Sequence, residues 1–168
     1  MDKIKKILAP TDLSELSQAG VRYALNMAKE LRAEVLVYHV VNFAEIQQYS
    51  KELRPGATAF RSFPPPADIL ERFQIALARF LGEHFGDLLP LVTVRERVEI
   101  GRADERIVEQ AEKEGSDVIV ISTHGRTGLA HAFVGSVTEK VVRTAPCPVL
   151  SIRPSPDRES AARAAGSG

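Results

Sequence analysis

Cysteine is all but missing from this chain: 168 residues contain one, Cys147. No disulfide can close within a single molecule, and that usage suits a reducing compartment, here expected to be the cytoplasm. Cys147 sits between Pro146 and Pro148 at a strand entry, where a small packing residue is a simpler reading than a nucleophile. Neither sign of charge is in excess, with Lys plus Arg and Asp plus Glu at 22 each. A nucleic-acid binder shows a basic surplus, so that class is disfavoured. No run approaches the roughly 20 apolar residues of a membrane-spanning helix. The start, Met1-Asp2-Lys3-Ile4-Lys5-Lys6, has no apolar signal region. The histidines form no cluster at metal-ligand spacing. There is no G-x-S-x-G elbow, no P-loop and no G-x-G-x-x-G fingerprint. Catalytic residues and a protein-built metal site are therefore not expected.

What the chain does contain is 44% hydrophobic residues, enough for one domain with a real core. Ile4, Ile7, Leu8 and Ala9 read as a first strand closed by Pro10. Glu15 to Leu31 has helical spacing, and Asp12, Ser14 or Ser17 can cap its start. Glu34 to Val41, EVLVYHVV, reads as a buried strand. Strand, helix, strand makes a βαβ unit with parallel strands and a right-handed crossover.

Residues 42–67 are polar in parts and weakly periodic, with a triproline at Pro64-Pro65-Pro66. They read as a variable loop with a helical turn near Ala44 to Glu52. The triproline is expected to be a rigid lead into the next helix, Asp68 to Phe85. Val92 to Ile100 alternates polar and apolar residues like an edge strand. A helix follows from Ala103 to Glu114, then the apolar run Val118 to Ile121. After a glycine-bearing loop, a helix starts at Ser136 and a last strand spans Val149 to Ile152. Residues 154–168 lack core residues and are expected to be disordered.

The stretch from Val118 to Ser136 carries the functional signal. A strand breaks into a loop with Gly125, Gly128 and Gly135, then a helix begins. The first amides of a helix lack intrahelical partners and its dipole favours anions there. Gly135-Ser136 is therefore a candidate phosphate seat. The competing reading is plain turn chemistry, with Ser136 only an N-cap. Open parallel sheets place ligands beyond the carboxyl ends of their strands. Asp12, Val40 and the loop after Val118 to Ile121 all occupy such ends.

These motifs resemble the universal stress protein family. The resemblance rests on Ile7-Leu8-Ala9-Pro10-Thr11-Asp12-Leu13-Ser14, on Ser122-Thr123-His124-Gly125-Arg126-Thr127-Gly128, on Gly135-Ser136, and on Ala145-Pro146-Cys147-Pro148-Val149-Leu150. It covers residues 1–153 as one domain. It implies an α/β fold, a doubly wound open sheet of five parallel strands in the order 3-2-1-4-5 with four helices, Rossmann-like and similar to the adenine nucleotide alpha hydrolases. In the nucleotide-binding branch the pattern is glycine, two residues, glycine, nine residues, glycine, then serine or threonine. Here it runs Ser122, Gly125, Gly135, Ser136, with serine in place of the first glycine.

The implied function is a stress-response regulator that binds ATP or another adenine nucleotide without efficient turnover. Ala9, Pro10 and Thr11 would line base and sugar, Asp12 would accept from a ribose hydroxyl, and the Val40 backbone would read the adenine edge. Gly125, Gly135, Ser136 and Val137 would surround the phosphates, with Ser122, His124 and Arg126 beside them. Any Mg²⁺ or Mn²⁺ would be held mainly through the phosphates. The resemblance also implies a homodimer through Val149–Ile152, where an apolar edge invites pairing. The alternative is a dimeric stress protein that binds no nucleotide and acts through protein contacts; Ser122 is the feature that favours it.

Overall fold

All five strands run parallel in one sheet: β1 (Lys6–Pro10), β2 (Glu34–Val41), β3 (Thr93–Ile100), β4 (Val118–Ser122) and β5 (Val149–Ile152). Their order across the sheet is β3-β2-β1-β4-β5, as expected. The computed structural model describes residues 3–54, 63–124 and 134–154. The tail beyond Pro154 lies outside the described residues. Central β1 sets Leu8 opposite Leu36 on one side and Ile119 on the other. From Val35 to Val41, and along all of β4, every residue is buried. Strands covered on both faces need such unbroken apolar runs. β3 at one edge is half wet and carries the alternation seen in its sequence.

Helices cover both faces. α1 (Gln18–Leu31) and α3 (Pro66–Phe85) pack Val21, Leu25, Leu77, Leu81 and Phe85 onto Ile7, Ala9, Val35, Val37 and Val120. Each Val, Leu, Ile or Phe side chain so removed from water stabilises the fold by about 1.5–3 kcal/mol. On the opposite face, α4 (Ala103–Glu114) and α5 (Ser136–Thr144) pack Ile107, Ala111 and Val141 onto Leu8, Leu36, Tyr38, Ile119 and Ile121. Cys147 is half-buried at the rim of this second cluster. Burial, with Asp117 adding to it, pushes its thiol pKa up, which fits a packing residue.

The expected helix count needs correction. Five α-helices occur among the described residues, not four, because the segment read as a loop contains α2 (Phe43–Leu53). Asn42 accepts from the Glu45 amide, and the Glu45 side chain accepts from the Asn42 amide. That reciprocal capping box supplies a start that apolar spacing did not announce. Glu45 is the only buried residue of the helix. α3 begins at Pro66, two residues before the expected Asp68, since proline suits the first helical position. Of the triproline, Pro65 is the N-cap residue and Pro66 the first residue of α3. α1 starts at Gln18 rather than Glu15, because Leu13 takes a left-handed conformation, φ 62°, and residues 13–17 form a turn.

Candidate functional site

At the carboxyl ends of β1, β2 and β4 the chain opens a crevice of about 270 Å³. Three remote segments build it. Pro10, Thr11 and Asp12 leave β1, Val40 is the last residue but one of β2, and Ser122 and His124 leave β4. Gly135, Ser136 and Val137 close it at the start of α5. A larger hollow of about 600 Å³ lies at the opposite end of the sheet, lined by Lys3, Lys5, Lys29 and Arg32. It sits at the amino ends of the strands, where open parallel sheets do not place ligands.

The start of α5 has the electrostatics of an anion seat. Gly135 is its N-cap and offers no side-chain cap. The amides of Ser136, Val137 and Thr138 have no acceptor within the helix. The Gly135 amide instead donates 2.8 Å back to the Thr123 carbonyl, fixing the helix start against the end of β4. A Cβ at Gly135 would stand 3.2 Å from that same carbonyl oxygen, a tight contact.

Beneath the crevice runs a chain of hydroxyl groups. Thr138 donates 2.9 Å to the Ser122 carbonyl. The Ser122 hydroxyl donates 3.2 Å to the Ser17 carbonyl and accepts from the Gly20 amide at 2.8 Å. Ser17 and Thr11 share a hydrogen bond of 2.7 Å. Thr11 in turn accepts from the Leu13 amide. The α5 side is thereby linked through β4 and α1 to the loop after β1. Ser122 keeps ordinary strand backbone, with no positive φ. Serine is compatible with this position because its hydroxyl is directed into α1.

Asp12 accepts from the Ser14 amide at 3.0 Å and from the Ser14 hydroxyl, closing a short turn. It does not cap α1, which starts four residues after Ser14. His39 is buried at 1% exposure with Nδ1 2.8 Å from the Thr11 carbonyl, as a hydrogen-bonded core histidine. His124 pairs through Nδ1 with the Thr123 hydroxyl. Away from the crevice, burial pushes the Tyr38 phenol well above its ordinary pKa, and a hydrogen bond to Glu99 adds to this. Burial alone would raise Glu99, but the bonds from Tyr38 and Arg97 outweigh it and hold that carboxyl below its usual range.

Nine of the twelve expected site residues line the crevice: Pro10, Thr11, Asp12, Val40, Ser122, His124, Gly135, Ser136 and Val137. Ala9 is fully buried in the core between sheet and α1 instead, because its side chain lies on the face that α1 covers. Gly125 and Arg126 lie outside the described residues. The crevice also includes Ser17, Asn42, Glu45, Ile107 and Thr138, none of them anticipated as site residues. The Asn42-x-x-Glu45 spacing was the available signal for two of them. Among the described residues no cluster of metal-ligating side chains occurs, and no helix is long and apolar enough to cross a membrane.

Comparison with known proteins agrees with this architecture. The model of the universal stress protein family matches residues 3–153. One universal stress protein of Methanocaldococcus jannaschii is 36% identical over 152 residues, spanning 89% of this chain and 82% of its own. A second from the same organism is 31% identical over 160 residues, spanning 89% and 94%. The solved structure of that second protein superposes with a TM-score of 0.66 at 28% identity, covering 92% of this chain and 99% of its own. Two more distant structures share the fold. One is a universal stress protein in complex with cAMP (TM-score 0.58, 20% identity, 92% and 100% covered). The other is a family protein of Arabidopsis thaliana with AMP bound (0.55, 16%, 91% and 94%).

Proposed function

We propose, for a chain that belongs to the universal stress protein family, that it is a stress-response regulator which binds an adenine nucleotide in the crevice above β1, β2 and β4. One observation carries the reading. Pro10 to Asp12, Val40 and Gly135 to Val137 meet at a single opening, with the uncapped amides of α5 at one end. Those amides and the Ser136 hydroxyl suit phosphates. Asp12 offers a carboxylate to ribose hydroxyls, and Val40 offers backbone to a base edge. The fold accommodates cAMP in one distant neighbour and AMP in another, which supports the reading at the level of fold.

ATP is the proposed ligand, with Mg²⁺ or Mn²⁺ held through its phosphates. The protein is proposed to act as a binder and not as an enzyme with efficient turnover. A thermal-shift assay with ATP and Mg²⁺, together with mass spectrometry of copurifying small molecules, tests this. A stabilised protein or a retained adenine nucleotide is expected. No shift at millimolar ATP would overturn it.

The second reading, a dimer acting through its surface, is favoured by β5. This four-residue strand is an edge of the sheet, and its Val149, Leu150 and Ile152 are only partly buried. Pairing of two such edges across a two-fold axis is proposed, in the cytoplasm, with or without nucleotide. Light scattering on the eluting protein distinguishes dimer from monomer.

A further inference from the structure

At the crevice wall, one member lining it and the other not, lies an ionisable pair that the nucleotide reading leaves unused. His39 and Glu45 are 1% and 5% exposed. His39 Nδ1 faces the Thr11 carbonyl at 2.8 Å. A carbonyl oxygen only accepts, so Nδ1 carries hydrogen. The opposite nitrogen, Nε2, lies 3.2 Å from Glu45 Oε1, at ion-pair distance without completing a hydrogen bond. With Nδ1 committed as donor, a neutral ring would aim a lone pair at a carboxylate. A proton on Nε2 turns that repulsion into attraction, and burial magnifies both.

Among the described residues, Glu45 is the charged group set against Nε2. Phe73 of α3 stacks on the imidazole, ring centres 5.6 Å apart. Arg72 of α3 is directed at Glu52 and the Tyr49 ring instead. β3 places Val98 beside His39 in register. On β2 itself, neighbouring Tyr38 reaches Glu99. On the β1 side, Thr11 presents its carbonyl and Asp12 follows it into the crevice.

We propose that His39 and Glu45 are a proton-held positioning pair, a brace that ties the Thr11-Asp12 loop to the first turn of α2 and so shapes the base and ribose side of the crevice. This rests on the nucleotide reading above. One ring grips the residue before Asp12. Through Glu45 it also grips the capping box with Asn42, and both Glu45 and Asn42 line the crevice. As pH rises and Nε2 gives up its proton, Glu45 is repelled, the start of α2 loosens and nucleotide affinity falls.

The test is calorimetry of ATP binding to the full chain from about pH 5 to 9, comparing the native protein with Glu45→Gln. The glutamine amide can donate to an unprotonated Nε2, so it holds the ring without needing the proton. The native protein is expected to lose about tenfold in affinity toward the alkaline end. The profile of Glu45→Gln is expected to be flat by comparison. Identical profiles for the two proteins would overturn the brace. A second arm needs no nucleotide: nitrogen NMR of the imidazole, read with the Thr11 and Asp12 amide signals. Nδ1 should stay protonated throughout, and the two amides should follow the titration of Nε2 in the native protein alone. A neutral ring protonated on Nε2 would refute the assignment. Absence of ATP binding at every pH would overturn the nucleotide reading, while the NMR arm would still decide the brace.

Discussion

The Ser122 hydroxyl oxygen lies 2.8 Å from the Gly20 amide nitrogen, across 102 positions of sequence. Gly20 is the third residue of α1, and its amide is one of the donors that a helix start leaves unmatched. Ser17, the N-cap residue, makes no side-chain cap and spends its hydroxyl on Thr11 and on the Ser14 carbonyl. A residue of β4 therefore supplies the cap that α1 lacks. Serine, where the nucleotide-binding branch of the family has glycine, has a structural role here.

Ser122→Ala is expected to destabilise the protein by about 1–2 kcal/mol, the cost of a lost helix cap or of a buried amide left without an acceptor. Ser122→Gly should cost about 0.5–1 kcal/mol more, because glycine in a strand loses more backbone freedom on folding. Urea unfolding measures both. On the same argument Ser122→Gly brings no gain in ATP affinity. A tighter complex would mean that serine obstructs the crevice.

Gly20→Ala separates two opposing effects. Helix propensity alone favours alanine by about 1 kcal/mol. The added Cβ would meet the Ser122 backbone nitrogen and hydroxyl oxygen at 2.8 Å each, and the Ile121 carbonyl carbon at 3.2 Å. Backbone cannot rotate aside, and overpacking costs about 1–3 kcal/mol, so a net loss is expected. Gly82→Ala is the control. It sits on the exposed side of α3 with nothing within 4 Å of its added Cβ, and should gain about 0.5–1 kcal/mol. Thermal midpoints moving in opposite directions would bear this out; both rising would sink the clash argument.

The contrast between these glycines shows what sequence could and could not disclose. Elements held by burial were legible: the apolar runs of β2 and β4 and the spacing of α1, α3 and α4 follow from which face meets the sheet. The edge place of β3 was legible from its alternation. α2 was legible only as a helical turn near Ala44 to Glu52 and not as a full helix, because Phe43 and Leu53 remain exposed and Glu45 is its only buried residue, so there is no apolar stripe to read. Most of the crevice could be anticipated because strand ends and a helix start announce themselves locally. The partnership of Ser122 with Gly20 could not, since nothing in either neighbourhood points to the other.

Tyr38→Phe is expected to weaken the fold most at intermediate pH. The phenol donates 2.8 Å to Glu99, a bond to a charged group worth about 1.5–3 kcal/mol. Glu99 has a depressed carboxyl pKa in the folded protein. Its contribution is therefore present above the unfolded value and lost as pH falls through the folded one. Tyr38 has a raised pKa. Its contribution is complete below about pH 10 and fades above it, as the unfolded phenol ionises while the folded one does not. The stability gap between native and variant should narrow toward both acid and alkali. Urea unfolding of the two proteins across pH measures the gap, and a constant gap would contradict the coupling.

Asn42→Ala should act on α2 and leave the rest of the fold nearly untouched. An isolated helix of 11 residues is marginal in water, and α2 has little burial to support it. Its start depends on two reciprocal bonds, Glu45 amide to Asn42 Oδ1 at 3.1 Å and Asn42 amide to Glu45 Oε2 at 2.9 Å. Alanine removes the first acceptor, at a cost of about 1 kcal/mol. That corresponds to roughly fivefold faster opening, so hydrogen exchange should quicken about fivefold in α2 while β2 and α3 keep their protection. Asn42→Asp should restore slow exchange, because aspartate caps as well as asparagine and its charge suits the helix start. Exchange rising equally across the whole chain would mean that Asn42 supports the core and not the helix. Since Asn42 and Glu45 both line the crevice, the same variant should bind ATP more weakly, and the aspartate replacement should recover much of that loss.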